Sequence, residues 1–313
     1  MRFSLWLSPG HTWDELVALA GHAERTGWDG IWFPDHFMGA GRDAGGDLLE
    51  CWSVLAALAA AVPRVRIGSL VSGNMYRHPA VLANVAAAVD RISGGRVVLG
   101  IGAGWQRNEH EKYGIEFSDV GGRLDRLEEA CQVIRSLTTT ERTTHRGRYY
   151  QLDDAPMEPK PVQSPLPLLI GGGGERRTLR IAARFADEWN TWGTPDIVAH
   201  KSTVLAQHCE ALDRDPATIG HSAQAIVLMG DDQQWLSARR SEPQRMPTIV
   251  GTPSELAETV GGYQQVGLDE LVVPDWTFPR GGETDWLDRF IEDVASPYRS
   301  TQAGRPSRTG SAS

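Results

Sequence analysis

Two stretches hold most of the side chains able to do chemistry. "PDH", residues 34 to 36, sets Asp35 beside His36 just after an apolar run, and "VVLGIGAGWQRNE", residues 97 to 109, sets glycines at alternate positions before Trp105 and Asn108. An imidazole titrates nearest neutrality of the common side chains, which suits proton delivery or hydrogen bonding to a carbonyl. Asp35 and His36 admit three readings: metal ligands, an acid–base pair, or the polar lining of a loop. A barrel metallohydrolase would need several convergent His and carboxylate ligands, and the first strand end offers only Ser8 and Pro9, so metal is disfavoured. A surface histidine with no task is the bland alternative to a catalytic His36.

The glycine pattern invites a dinucleotide reading and does not meet its terms. That turn needs G-x-G-x-x-G after a first strand and an acid about twenty residues later. Here the spacing is G-x-G-x-G, it follows a fourth strand, and the next helix is read as starting well downstream. Small residues such as Gly102 and Ala103 at a strand end allow close packing against a neighbouring strand. They equally allow a flat ligand ring to approach the backbone, with Asn108 supplying a hydrogen bond.

A second run of four glycines, at 171–174, leads toward a helical pattern with Arg176 and Arg177 beside it. Unhindered N–H groups entering a helix N-terminus suit a phosphate, and a flexible turn is the plain alternative. Trp105, Trp192 and Trp276 also fall at strand ends, where an indole either packs the rim or stacks on a ligand. Asn74, in "SGNMYRH" after the third strand, joins them as a candidate for the substrate pocket. Glu109, His110 and Glu111 read as a solvated face.

These residues need a scaffold that brings strand ends together. Short β-rich runs alternate with longer helical patterns from the first residues onward, the arrangement of repeated βαβ units. Thr12 and Glu15 form a capping box before apolar Leu16, Leu19, Ala20 and Ala23, and the helix stops at Gly27. Eight strand–helix repeats point to an α/β fold, the (β/α)8 barrel, whose active sites lie at the C-terminal ends of the strands. "THRGRYYQL" reads as a small hairpin, "HSAQAIVLM" as the seventh strand, and 230–252 as a long loop. Residues 1–299 are read as one barrel domain and the polar stretch 300–313 as a disordered tail.

Composition narrows the partners. Of 313 residues 41% are hydrophobic and 23% charged, enough for a sizeable core, and the net charge of −9 argues against nucleic acid or an anionic membrane. Cys51, Cys131 and Cys209 are widely spaced and in no CxxC pair, which suggests neither disulfides nor zinc and suits a reducing cytoplasm. The N-terminal apolar run is too short for a leader, and no later run is long enough to span a bilayer.

Taken together, "WFPDHF", "RHPAVLANVAAAVDRISGGRVVLGIGAGW", "NEHEKYGI" and "PLLIGGGGERRTLRIAARFADEWN" resemble the luciferase-like flavin and deazaflavin oxidoreductases, in particular their coenzyme F420-dependent branch. The resemblance implies a (β/α)8 barrel of that type with an insertion after strand seven, and a cofactor laid across the C-terminal mouth. Coenzyme F420 is the implied cofactor and FMN the alternative. By motif matching, Asp35 and His36 would face the ring, and Ser69 and Leu70 would match the site of a non-prolyl cis peptide. Gly102, Ala103 and Asn108 would make ring and ribityl contacts, with Gly172, Gly173, Gly174 and Arg176 at the phosphate. Trp105 stands where a sugar-phosphate dehydrogenase of the family carries a catalytic Glu, so that substrate does not transfer. The implied activity is hydride transfer to or from an unidentified small organic substrate, with His36 as the catalytic residue. An FMN-dependent monooxygenase and a non-catalytic binding barrel are the rivals, and analogy favours a homodimer.

Overall fold

Eight short, largely buried runs form the strands β1 (Arg2–Trp6), β2 (Gly30–Phe33), β3 (Arg66–Ser69), β4 (Val97–Gly102), β5 (Leu168–Gly171), β6 (Glu188–Trp192), β7 (Gly220–Gln224) and β8 (Glu270–Pro274), most of them rich in β-branched, aromatic or leucine side chains. Each pairs in parallel with the next, and β1 pairs with β8, so the sheet closes into a (β/α)8 barrel. The computed structural model describes residues 1–40 and 45–299. The expected disordered tail at 300–313 lies outside the described residues.

The period of two along each strand sorts side chains between two layers. Phe3, Leu5, Ile31, Phe33, Leu271 and Val273 join the large core beneath the helices, while Trp6, Trp32, Leu70, Val98, Leu169 and Val272 form a separate cluster inside the barrel. Gly68 makes room for it, since a Cβ there would lie 2.5 Å from the Trp32 ring. Below Trp32, Glu270 is fully buried and accepts from Ser4 Oγ at 2.6 Å, Trp32 Nε1 at 2.8 Å, Arg2 Nε at 3.0 Å and Arg66 at 2.8 Å. Arg66 also pairs with Glu188.

The outer layer follows from helix signals in the chain. Helix α1 (Trp13–Thr26) has the Thr12–Glu15 capping box, buries Leu16, Leu19, Ala20 and Ala23, and ends on a left-handed Gly27. Helices α2 (Cys51–Ala61) and α3 (Pro79–Ser93) return the chain to β3 and β4. Between β4 and β5 lie α4 (Arg107–Tyr113), α5 (Val120–Thr139) and the expected hairpin of Arg142–Arg146 with Gln151–Pro156. Helices α6 (Thr178–Phe185) and α7 (Pro195–Glu210) follow β5 and β6. The three cysteines are free and buried. No helix of the described residues is long and apolar enough to cross a membrane.

The segment after β7 departs from the sequence reading. The seventh strand does not run through to Met229: it breaks after Gln224, and Ile226–Met229 pairs outside the barrel with Thr248–Gly251. Between them sits α8 (Gln233–Ser241), so 230–252 is not one long loop, and α9 (Pro253–Gln265) follows. Asp232 caps α8 through Gln234 N and Trp235 N, a signal the short, mostly polar helix obscures.

The seam between β1 and β8 carries a titratable tie. Asp275 accepts from Ser8 N at 3.0 Å and lies 2.8 Å from His11 Nε2. The hydrogen bond to Asp275, then its charge, outweigh burial and raise the His11 pKa above 6.5. A raised folded-state value means the stabilisation is full below 6.5 and is lost as pH rises through the folded pKa. The stability advantage of the wild type over His11→Gln, measured by urea unfolding, is therefore expected to shrink as pH rises from 6.5 through the raised folded-state pKa. An advantage unchanged over that range would refute it.

Candidate active site

A cleft of about 820 Å³ opens at the C-terminal ends of the strands, within the range of roughly 300–1,000 Å³ of ligand pockets. One part of its wall is nearly bare backbone: Gly102, Ala103 and Gly104 at the end of β4, and the glycines at 171–174 at the end of β5. Val71 packs against it, and a Cβ on Gly102 or Gly171 would come within 2.8 Å of a Val71 methyl. Leu70–Val71 is a cis peptide, one bond beyond the Ser69–Leu70 position read from the sequence. Leu70 lines the cleft, whereas Ser69 is buried behind it, its hydroxyl donating to Gly100 O at 2.8 Å.

His36 lines the cleft, and its Nδ1 lies 3.0 Å from Glu109 Oε2. Glu109 is not on a solvated face. It is fully buried, and its carboxylate also accepts from Tyr76 OH, Phe37 N and, at 3.2 Å, Met38 N. His110 is buried too, at 1% exposure, with Nδ1 3.0 Å from Glu116 O. Contrary to the sequence pattern, the next helix is not far downstream: α4 begins at Arg107 and turns Glu109 and His110 inward. Burial acts to raise the Glu109 pKa, but the hydrogen bonds from His36, Tyr76 and Phe37 N outweigh it and hold the group below the ordinary 4.5, ionised. Burial, then the Glu109 carboxylate, keep the Tyr76 phenol protonated and donating.

Asp35 borders the cleft with its carboxylate committed elsewhere. Arg77 grips it bidentately at 2.6 and 3.0 Å, and Gly73 N donates at 3.1 Å. Burial pushes its pKa up while Arg77 and Gly73 oppose. The bidentate pairing makes Asp35 a clamp between the loops after β2 and β3. Asn108 is likewise not aimed at the cleft, because its amide donates to Gly39 O at 2.9 Å. Asn74 is buried outside the lining, with Nδ2 3.4 Å from Tyr150 OH.

Gly172, Gly173 and Gly174 line the cleft as expected, but a turn at 175–177 separates them from α6. Arg176 is exposed and outside the lining, and Arg177 pairs with Asp125 at 2.5 Å. The cation near this run is one the sequence reading missed. Lys201, on α7, lies with its Cε 3.7 Å from where a Gly173 Cβ would be, and its Nζ pairs with Glu175 at 2.5 Å.

The indoles do converge. Trp6, Trp192 and Trp276 line the cleft with ring centroids 4.9 to 6.0 Å apart, and Trp105, 64% exposed, sets its ring edge-on to His36 at 5.5 Å. Trp6 joins the group because β1 turns it inward, a consequence of the strand period. A backbone-lined slot, a half-shielded imidazole held by a carboxylate, and an aromatic rim together can seat a flat ring, move one proton and shed water.

Comparison with known proteins agrees with this architecture. A family model described as luciferase-like monooxygenase matches residues 1–247. A Mycobacterium tuberculosis protein named F420-dependent hydroxymycolic acid dehydrogenase is 31% identical, over 91% of this chain and 85% of its own length. An F420-dependent glucose-6-phosphate dehydrogenase from Kineococcus radiotolerans is 32% identical, over 91% of this chain and 93% of its own. Among solved structures, an F420-dependent secondary alcohol dehydrogenase in complex with an F420-acetone adduct superposes with a TM-score of 0.81 at 19% identity, covering 94% of this chain and 98% of that one.

Proposed function

This chain belongs to the luciferase-like monooxygenase family, and on that premise we propose that it is a coenzyme F420-dependent oxidoreductase acting on a small organic substrate in the cleft. The observation that carries the reading is one cleft that pairs a backbone-lined slot with an anchored imidazole. The coenzyme named in both relatives supports it.

The slot suits a flat ring with a phosphate tail. Side chains at 102 and 171 would collide with Val71, and one at 173 would sit 2.9 Å from Thr191 Oγ1, so only glycine leaves the wall flat. Gly102 and Ala103 would face the ring; the N–H groups of Gly172, Gly173 and Gly174 would hold the phosphate, with Lys201 as nearby positive charge. When bound, the coenzyme supplies the two-electron hydride donor or acceptor. His36 supplies the proton. With Nδ1–H donated to Glu109, Nε2 has no partner among the described residues and can take a proton from, or return it to, a substrate oxygen. The Glu109 carboxylate stabilises the imidazolium that results. The Trp rim excludes water from the reacting carbon.

Fluorescence titration with F420 and with FMN tests the assignment. Saturable F420 binding is expected; tight FMN binding without response to F420 would sink it in favour of the flavin monooxygenase. In the same titration Gly173→Ala is expected to weaken F420 binding about tenfold, because overpacking costs about 1–3 kcal/mol. Unchanged affinity would remove these glycines from the phosphate site.

A further inference from the structure

We propose that Glu175 makes the phosphate end of the cleft selective for a phosphodiester, which carries one charge, over a phosphate monoester, which carries two; this rests on the coenzyme reading above. The two candidate coenzymes differ at that group. In F420 the ribityl phosphate is esterified a second time by a tail, whereas in FMN it ends the molecule with a charge of about −1.5 to −2 at neutral pH. A site that tells one charge from two therefore tells the coenzymes apart without touching the ring.

The glycine run ends in a charge pair. Gly173 and Gly174 line the cleft, and their N–H groups have no acceptor among the described residues. A Cβ on Gly173 would lie 3.7 Å from Lys201 Cε, and one on Gly174 would lie 2.8 Å from Thr178 Oγ1, so a cation and a hydroxyl flank the bare backbone. The next residue, Glu175, sets its carboxylate 2.5 Å from Lys201 Nζ and 3.0 Å from His200 Nε2, and its backbone O accepts from His208 Nε2 at 2.7 Å. All three partners lie on α7, so one helix grips both the side chain and the backbone of Glu175 and fixes where its charge sits. The hydrogen bonds from Lys201, then His200, hold the Glu175 carboxyl below the ordinary 4.5, ionised.

Lys201 and Glu175 stand outside the cleft lining and act on an anion there through space. Their charges nearly cancel. A first negative charge is met by the two open N–H groups, which a neutral pair does not oppose. A second charge gains no net cation and still loses part of its water shell. The neighbouring arginines do not alter the balance, because Arg177 is paired with Asp125 at 2.5 Å and Arg176 is exposed away from the lining. A mere tie between the glycine run and α7 would hold the loop and not read the charge of the phosphate.

The test is fluorescence titration at about pH 8, where the monoester carries both charges, with three deazaflavins that share the ring of F420 and lack its acidic tail. They are the phosphate-free core, its 5′-phosphate monoester and the methyl diester of that phosphate, with F420 itself alongside. The wild type is expected to bind the diester about threefold more tightly than the monoester. Glu175→Gln keeps an acceptor for Lys201 and the backbone contact to His208. It should tighten the diester about threefold and the monoester about tenfold and leave the core unchanged, because the repulsion removed counts once for one charge and twice for two. Lys201→Met, which keeps the aliphatic stem, should weaken the same two ligands by the same factors, and the double variant should regain the wild-type selectivity. Salt at about 1 M should collapse all of these differences. A wild type that prefers the monoester, or a Glu175→Gln variant that shifts the core and both esters alike, overturns the proposal and leaves Glu175 as a structural tie. Failure to bind both the core and F420 overturns the coenzyme reading beneath it.

Discussion

His36→Ala is expected to lower kcat by about two to four orders of magnitude, the range measured for loss of a positioned acid–base group, with F420 affinity changed by less than about threefold. The residual rate reflects substrate positioning over the coenzyme, which the imidazole does not supply. Glu109→Gln separates proton transfer from fold. The amide oxygen can keep the Phe37 and Met38 backbone donors that bind Oε1, but the NH2 in place of Oε2 no longer accepts from Tyr76 or His36 and the charge is lost, so kcat should fall about ten- to a hundredfold. A merely structural Glu109 would lower the stability of Glu109→Gln and leave kcat of the folded variant near that of the wild type. Tyr76→Phe removes one donor to Glu109 and leaves the His36 contact and the charge, and should lower kcat less than Glu109→Gln does. Full activity in His36→Ala would reassign the proton to solvent.

The second large effect lies at the other end of the barrel. Glu270→Ala is expected to destabilise the fold by about 3–5 kcal/mol, the cost of stranding one side of a buried ion pair, and to lower Tm by on the order of 10 °C. Two arginines would be left sharing Glu188, and Ser4 Oγ and Trp32 Nε1 would lose their acceptor. Burial alone would raise the Glu270 pKa, yet Arg2, Arg66 and the two neutral donors overcome it and hold the group well below 4.5. A depressed carboxylate value contributes stability above 4.5 that is lost as pH falls through the folded pKa. Acid unfolding should therefore begin at higher pH once neighbouring groups are left without it, and wild type and variant should converge in the acid limb. A loss under about 1 kcal/mol at neutral pH would mean the network is solvated and contributes little.

The barrel was legible because parallel strands buried on both faces read as short apolar runs between turn signals. Thr12, Gly27 and Pro79 act through local backbone chemistry, so they mark helix ends without knowledge of the fold. The glycines at 102 and 171–174 were legible as cleft wall for the same reason, since a missing Cβ acts wherever the chain goes. Glu109 was not. Its neighbours in sequence are polar, and its partners are Phe37, Met38 and Tyr76, brought in from the ends of other strands. Asp35 shows the converse: it borders the cleft, and its partner, Arg77, takes the carboxylate away from chemistry. Residues 226–251 defeated the pattern reading because their elements are only four to nine residues long, below the length at which periodicity is distinguishable.

The Glu109 carboxylate gathers hydrogen bonds from the loops after β2 and β3 while itself belonging to the helix after β4. Those three connections are thereby locked to one another: a substitution in any of them is felt by the imidazole that the other two hold. The strand pair and helix after β7 make no hydrogen bond to Glu109 or His36; they are tied instead to the segment after β8, through Thr277 Oγ1 to Val227 O at 3.0 Å and Arg289 to Asp231 at 2.6 Å. Changes within residues 226–251 can therefore leave the hydrogen bonds that hold the imidazole untouched, provided they keep the apolar character of the buried Val227, Leu236 and Ile249.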